Sequence, residues 1–347
     1  MLSARQINRS VLDRQLLLSR ADLDIPAALQ HIGGLQTQYA PSGYIGLWSR
    51  LRDFQHDALT RALEDRSVVQ ATLMRATIHM VAAEDFWPFS AAIRQSRRDW
   101  WLRIAKSRAL PAISYDALAS VLREAMSEGP QPRAALAAAM DAAGIDKPHW
   151  EGAGLWLDMV RVPPSGTWER RRADRYGLAD HWIPADEVAE VDDLTLLLTR
   201  YLQAFGPATL ADAATWAGVP RARIEPVASS MDLVRYTDES GATLVDLTGS
   251  VLPDPDTAAP VRMLPTWDAT LLAHCRRSGI LPEEFRKAIF HTKNPQSVGT
   301  VLVDGAVAAT WVWRNDRVEV EQLTKLSSKQ RGEVAAEANA LTTFYRD

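Results

Sequence analysis

Two glutamines separated by one residue, Gln36 and Gln38, are the side chains whose spacing points to the most specific chemistry in this sequence. On an extended chain, residues i and i+2 point to the same face, whereas on a helix they would lie ~200° apart. Gly33-Gly34 before the pair and Pro41 after it favour the extended conformation. The sequence therefore predicts two neutral amides side by side. The alternative is a polar turn, in which the glutamines cap helix ends or hold a water.

Paired amides limit the reaction that such a site could catalyse. A glutamine does not titrate near neutral pH and is no general base, but its carbonyl oxygen can orient a water and stabilise a developing cation. This orientation of a water and stabilisation of a cation are too weak to cleave an ordinary N-glycosidic bond. It is sufficient for a purine alkylated at N7, because that base is already cationic and leaves without a proton. The transition state then resembles an oxocarbenium ion, as in glycoside hydrolysis.

The placement of lysines bears on how such a bond would be broken. A glycosylase that also cleaves the strand usually attacks through an amine and forms a Schiff base. No lysine precedes Lys106 in this chain, so none is near the glutamine pair in sequence. The sequence predicts hydrolysis by water without β-elimination.

A second polar set, Arg75, Thr77 and His79, alternates with apolar residues. On one strand these three side chains share a face, and we expect them to line the site beside the glutamines. The alternative is a polar hairpin face with a hydrogen-bonded histidine.

Basic residues are concentrated in two stretches. Between residues 94 and 108 six basic side chains face one acid, Asp99, and tryptophans lie among them, a composition that suits a phosphate backbone. A second basic stretch begins at Arg170, directly after Glu169. Each could instead be a solvated face. The residues expected to contact DNA are Arg97, Arg98, Arg170, Arg171, Arg172 and Lys293.

Composition narrows the class of protein. The 347 residues have a net charge of -4, which argues against coating nucleic acid by bulk charge. Only six of the 39 basic residues are lysines, a bias that suits phosphate recognition or reflects a GC-rich genome. The single cysteine excludes an intrachain disulfide and a cysteine-based zinc site, and the histidines lack metal-ligand spacing. We expect no metal and no cofactor.

Other sequence features exclude further classes. There is no run of ~18 apolar residues that would span a membrane, and the N-terminus lacks the pattern of a signal peptide. Neither a phosphate-binding glycine loop nor a Ser-His-Asp signature is found. We expect a cytoplasmic protein that acts as a monomer.

Helices followed by a short hairpin recur three times along the chain, which predicts an α+β fold with three tandem winged-helix units. The third repeat is the clearest, with helices over 193–205, 209–218 and 220–231 and strands over 233–237 and 243–247. Beyond a linker, the Asp304-Gly305 turn between β-branched runs predicts a β-rich tail, read as a small open barrel with a closing helix. The predicted boundaries are 1–110, 111–190, 191–253 and 261–347.

Several segments together resemble the AlkZ/YcaQ-type DNA glycosylases, often described as winged-helix DNA-binding domain proteins. They are Leu35-Gln36-Thr37-Gln38 with the following Tyr39 to Ser42, Arg75 to His79, Leu264 to Leu272, and Val303-Asp304-Gly305 to Trp311. The resemblance spans nearly the whole chain in the same order.

This resemblance implies three winged helices cupped around DNA, a C-terminal β-barrel, and hydrolysis of N-alkylated purine nucleosides, including the unhooking of interstrand crosslinks. Its catalytic motif is a glutamine, an aliphatic residue, and then glutamine or aspartate, which Gln36 and Gln38 match and Thr37 does not. The version with two glutamines resembles self-resistance enzymes against genotoxins, and the aspartate version resembles broader crosslink repair. Trp267 and Asp268 are expected to line the site, and the partner is duplex DNA with alkylated purines.

Two other functions remain open at this stage. A non-catalytic winged-helix regulator would bind its own sequence as a dimer that matches operator symmetry. A protein-interaction module would agree with the acidic net charge and would fail to bind duplex DNA at low salt.

Overall fold

The computed structural model describes residues 1–172, 174–183, 194–274, 279–291 and 296–347. The helices are α1 (Ala4–Arg14), α2 (Ile25–Ile32), α3 (Pro41–Trp48), α4 (His56–Glu64), α5 (Ala83–Ser107), α6 (Tyr115–Ala125), α7 (Arg133–Ala142), α8 (Trp150–Trp156), α9 (Ala179–Trp182), α10 (Leu194–Phe205), α11 (Leu210–Ala217), α12 (Arg221–Ser230), α13 (Arg286–Ile289) and α14 (Ser328–Arg346). The strands are β1 (Leu35–Gln36), β2 (Val68–Thr72), β3 (Ile78–Ala82), β4 (Gln131–Pro132), β5 (Met159–Arg161), β6 (Arg175–Leu178), β7 (Leu233–Thr237), β8 (Thr243–Leu247), β9 (Arg262–Leu264), β10 (Phe290–His291), β11 (Gln296–Ser297), β12 (Gly299–Val303), β13 (Ala306–Arg314) and β14 (Arg317–Gln322).

Helix ends follow local chemistry that is visible in the sequence. The Asp24 carboxylate caps the start of α2, and Gly33 ends that helix in the left-handed conformation at φ +74°. Thr209 and Asp212 form a reciprocal capping box at α11, which Gly218 ends at the same φ. These signals explain why the helix predicted over 209–218 agrees with α11 in the structure.

The first two hairpins form one sheet, where the sequence predicted two separate ones. Its strand order is β1-β3-β2-β5-β6-β4, and β2 joins β5 through the pairs Gln70↔Arg161 and Ala71↔Val160. An isolated hairpin leaves backbone donors and acceptors unpaired along its outer edge. The β2–β5 pairing satisfies these groups, so the two hairpins stabilise each other.

The third repeat has its own two-stranded sheet of β7 and β8, packed beneath α10. The N-terminal helix α1 is attached to it by the buried ion pair between Arg14 and Asp246, whose atoms approach to 2.7 Å. The chain start is therefore anchored on the third repeat, although the two are more than 180 residues apart in sequence.

The C-terminal strands form an open four-stranded antiparallel sheet in the order β14-β13-β12-β9. The sequence analysis read this tail as barrel-like, but in the described part of the chain β14 and β9 remain edges and no barrel closes. Helix α14 packs against this sheet, and its Phe344 contacts Trp48 and Phe54 of the N-terminal region. The sheet face is covered by these helices, so closure is not needed to bury it.

The described residues contain neither a membrane-spanning helix nor a cluster of metal-ligating side chains. No helix among them has both the length and the apolarity to cross a membrane. No cluster of three or more histidine, cysteine, aspartate or glutamate side chains within the same ranges could hold a metal ion.

Candidate active site

Gln36 lies at the end of β1, directly opposite His79 of β3. The short strand reaches β3 because Gly34 precedes it. A Cβ at Gly34 would lie 2.9 Å from the Met80 carbonyl oxygen, and its φ of +80° disfavours other residues. The glycine pair that was expected to favour an extended chain therefore also allows the close approach that buries Gln36 to 6% exposure.

The Gln36 side chain is held by Arg75. One terminal nitrogen of Arg75 donates to Gln36 Oε1 at 2.8 Å, and the other donates to the Trp216 carbonyl at the same distance. A guanidinium has no acceptor, so the oxygen and not the nitrogen of the Gln36 amide must face it. The orientation of this amide is therefore fixed, with one lone pair on Arg75 and the second left for another donor.

Arg75 takes an unusual backbone conformation to make these contacts. It lies in a short 3₁₀ turn over Met74–Ala76 with φ +54°, before β3 begins, and so it does not share a strand face with Thr77 and His79 as the alternation predicted. A Cβ at Gly218 would lie 2.9 Å from the Arg75 backbone nitrogen. Burial lowers the pKa of Arg75 to about 10, which still leaves it cationic at neutral pH.

Gln38 has a different environment from Gln36. The extended path continues through Thr37, whose backbone nitrogen donates to the Ile78 carbonyl at 2.8 Å, and the chain then bends. The Gln38 side chain is exposed, and its Oε1 accepts a long bond of 3.4 Å from the Ile78 backbone nitrogen. The Thr37 side chain is buried. The motif thus presents one fixed, buried amide and one accessible amide, and its central residue is directed into the protein.

His79 is buried at 2% exposure, and its ring lies beside Thr77. Its Nδ1 donates to the Thr77 carbonyl at 3.0 Å, while its Nε2 has no partner among the described residues. Burial, with a contribution from the Arg75 cation, lowers the pKa of His79 to about 3. The ring is therefore neutral at ordinary pH and is not a proton donor for catalysis.

The depressed pKa of His79 makes stability depend on pH. Unfolded histidine titrates near pH 6.5, so below that pH the unfolded chain binds a proton that the folded chain refuses. Stability is present above about pH 6.5 and is lost progressively towards pH 3. We expect His79→Gln to shrink the difference in unfolding free energy between pH 7 and pH 5 by about 2 kcal/mol. Denaturant titrations at both pH values measure this, with the exposed His181→Gln as control; an unchanged difference in His79→Gln would contradict it.

Asp268 has a structural partner. Both of its oxygens accept from Arg50 at 3.0 Å, and both side chains are fully buried. Trp267, at φ +62°, packs its ring 5.6 Å from Phe290. The described contacts do not connect either residue to Gln36 or Gln38, so their predicted place at the site rests on sequence alone.

The arginines predicted to contact DNA fall into two environments. Arg97 is 3% exposed and donates to the Thr72 carbonyl and to Ser90, and burial lowers its pKa to about 10. Arg98 is half-buried and donates to the Leu155 carbonyl at 2.9 Å. Both side chains donate hydrogen bonds to backbone or side-chain oxygens within the protein. Arg97 supports the end of β2 in this way.

The second basic group is exposed and lies near the glutamine motif. Arg170, Arg171 and Arg172 belong to the connection between β5 and β6, and all three are exposed. Arg171 donates to the Tyr39 hydroxyl at 3.5 Å, one residue beyond Gln38, and its guanidinium lies 5.0 Å from the centre of the Trp168 ring. Lys293 lies outside the described residues.

Sequence reasoning missed the groups that fix Gln36. Trp216 acts through its backbone carbonyl, which no side-chain pattern reveals. In the sequence, Gly218 was expected only to end the helix over 209–218. A positive φ with a close neighbour at this glycine is the signal that could have linked the third repeat to the first.

A buried, oriented amide beside an exposed one, in a chain of helices and hairpins, defines a candidate site for attack on a weakened bond. The profile of the AlkZ-like DNA glycosylase family matches residues 29–344, and the chain belongs to that family. The fold is similar to the solved structure of the Streptomyces sahachiroi DNA glycosylase AlkZ, with a TM-score of 0.81 and 18% sequence identity over 99% of this chain and 96% of that one. At that identity the likeness concerns the fold. A comparison with curated protein sequences found no match.

Proposed function

We propose that this protein is a monofunctional DNA glycosylase that hydrolyses the N-glycosidic bond of N7-alkylated purines. The observation on which the proposal depends is the orientation of Gln36, whose carbonyl oxygen is fixed by Arg75 two residues from the exposed Gln38. Family membership supports the reaction class. The helix–helix–hairpin repeats are interpreted as three winged helices, with the boundaries predicted from the sequence.

The proposed mechanism uses the amides to place a water. The free lone pair of Gln36 Oε1 and the carbonyl of Gln38 accept from a water directed at C1′ of the damaged nucleotide. The C1′–N9 bond breaks as the water oxygen forms its bond to C1′, and the electron pair of the broken bond neutralises the cationic base. The attacking water releases one proton to the solvent, so no general base is needed. The amide dipoles stabilise the oxocarbenium character of the sugar.

Hydrolysis without strand cleavage is part of the proposal. Arg75 approaches the glutamine motif most closely among the cations described here, and a guanidinium does not form a Schiff base. An abasic site is therefore the expected product. The exposed Arg171 contacts Tyr39, and together with its chain neighbours Arg170 and Arg172 it would hold the phosphate backbone beside the lesion. We include unhooking of interstrand crosslinks, in DNA repair or in self-resistance to a genotoxin, within the proposed range of substrates.

The reaction rate should be independent of pH across the neutral range. Glutamines do not titrate, His79 has a pKa of about 3 and stays neutral, and Arg75 has a pKa of about 10 and stays charged. We expect single-turnover base release to vary less than about threefold between pH 6 and pH 8.5. The uncatalysed release of the same base at each pH is the control. A tenfold fall on either side would reveal a titrating acid or base and would refute the amide mechanism.

The substrate class is tested with a panel of duplexes that carry one N7-methylguanine or one nitrogen-mustard crosslink. The proposal predicts release of the free alkylated base and an intact strand that breaks only after alkali treatment. Reduction with borohydride should trap no covalent protein–DNA adduct. Release of base from none of these substrates would reject the proposal, and trapping of an adduct would reject its monofunctional part.

A further inference from the structure

Three clefts with shared lining residues form one groove that begins at Arg75, the residue that holds Gln36. The first, of about 200 Å³, lies between Arg75 and Trp100. The second, of about 720 Å³, shares Trp100 and Gly218 with the first and runs between α5 and the turn that joins α11 to α12. The third, of about 490 Å³, shares Arg221 with the second and continues along the β7–β8 hairpin. We call this continuous surface the arginine groove.

The charge of the arginine groove is strongly positive in a protein whose net charge is -4. Among the described residues, Asp99 is the one acid that lines it, and its carboxylate accepts from Gln95. Arg221 also pairs with Glu225, at 2.8 Å. No described carboxylate pairs with the exposed Arg103 or Arg235. The basic residues that line the groove are Arg75, Arg97, Arg103, Arg221 and Arg235. This surface is complementary to a polyanion.

An exposed aromatic ring stands at the junction of the first two clefts. Trp100 is 41% exposed, whereas its neighbour Trp101 is completely buried and packs against Tyr115. An exposed tryptophan among cations suits the stacking of a nucleobase, because every base presents a π-face to it. The Trp100 ring contacts that of Trp101 and leaves 41% of the residue's surface open to a ligand.

We propose that the arginine groove binds one strand of the DNA substrate beside the lesion. Arg103, Arg221 and Arg235 pair with successive phosphates, and Trp100 stacks on a base of that strand. The inner end of the groove is Arg75, so the bound strand leads to Gln36. The direction of the strand towards a reaction centre rests on the proposed function, whereas the binding itself does not.

The groove is tested by the affinity of the full chain for a labelled duplex that contains a tetrahydrofuran abasic analogue, which the enzyme cannot hydrolyse. Dissociation constants are measured between 50 and 200 mM salt. The variants are Arg103→Gln/Arg221→Gln together and Trp100→Ala alone. Arg61→Gln is the matched control, because Arg61 is an exposed helical arginine with an i,i+4 acidic partner, as Arg221 is, and lines none of the three clefts.

The two variants should weaken DNA binding in different ways. Loss of two phosphate contacts should reduce the slope of log K against log salt by about 2, at about 0.9 for each contact. Trp100→Ala should weaken binding about tenfold without a change in slope, as expected for a lost stacking contact. Arg61→Gln should bind as the wild type does. Wild-type affinity and slope in both variants would overturn the proposal that the arginine groove binds DNA.

The outcomes separate this proposal from the proposed function. If the variants bind normally while the wild type releases alkylated base, the groove is refuted and the glycosylase proposal stands. If the wild type releases no base but binding and slope change as expected, the groove stands and the glycosylase proposal falls. If the wild type binds no duplex at low salt, the groove is refuted whatever the activity.

Discussion

Replacement of either glutamine of the motif should lower single-turnover base release by about 10²-fold, the range seen when one preorganised polar group is removed from a transition state. Gln38→Ala removes an exposed side chain with one long hydrogen bond, so its folding should be unaffected. Gln36→Leu also removes the acceptor of Arg75. Because the two amides act on one water, the double variant should be only a few-fold slower than the worse single variant.

Gln55→Ala is the control for this experiment. Gln55 is also an exposed glutamine of the N-terminal region, at the start of α4, and its side chain makes no capping bond there. It should release base at the wild-type rate. Thermal melting of every variant shows whether the protein is folded. A folded Gln38→Ala variant with wild-type activity would remove Gln38 from the mechanism.

Loss of the Asp268 carboxylate should produce the largest change in stability. Asp268→Asn leaves the Arg50 cation in the interior without a counter-charge, and such losses cost about 3–5 kcal/mol. The melting temperature should fall by several degrees. At a temperature where the variant is folded, base release should remain near the wild-type rate, because Asp268 contacts Arg50 and not the glutamine motif.

The matched control is Asp316→Asn. Asp316 also pairs with an arginine, Arg346, at 3.2 Å, but its side chain is 73% exposed. Exposed pairs contribute about 0–1 kcal/mol, so the melting temperature of this variant should hardly change. Equal shifts in the two variants would contradict the structural role of the buried pair. A folded Asp268→Asn variant without activity would instead indicate that Asp268 acts in the active site.

Local structure was predictable from the sequence because the signals are local. Helix α11 and the strands β7 and β8 agree with the predicted bounds, since a capping box defines the start of the helix and a turn containing Gly241 joins the strands. The pairing of β2 with β5 was not predictable, because it joins segments about 90 residues apart. The C-terminal strands were expected to form a small open barrel, and the described strands form an open four-stranded sheet, since strand patterns do not reveal how far a sheet curls or whether its edges meet.

The site was predictable in part for the same reason. The spacing of Gln36 and Gln38 and the glycines before them predicted an extended chain with the two amides side by side. The chain is extended as far as Thr37 and then bends, one amide is buried and the other exposed, and the pairing of the amides stays a prediction. The alternation predicted that Arg75 and Thr77 share one strand face. Arg75 instead has a left-handed backbone at the point where Gly218, from the third repeat, approaches it closely. No pattern within the first repeat contains that information.

The central claim is that the amide pair cleaves only bonds that alkylation has already weakened. The most direct test is one duplex with a single N7-methylguanine among unmodified purines, incubated with the wild-type protein in excess, with all released bases quantified. The account predicts complete release of N7-methylguanine and no release of guanine or adenine above the protein-free control. Release of unmodified purines, or no release of N7-methylguanine above that control, would contradict it.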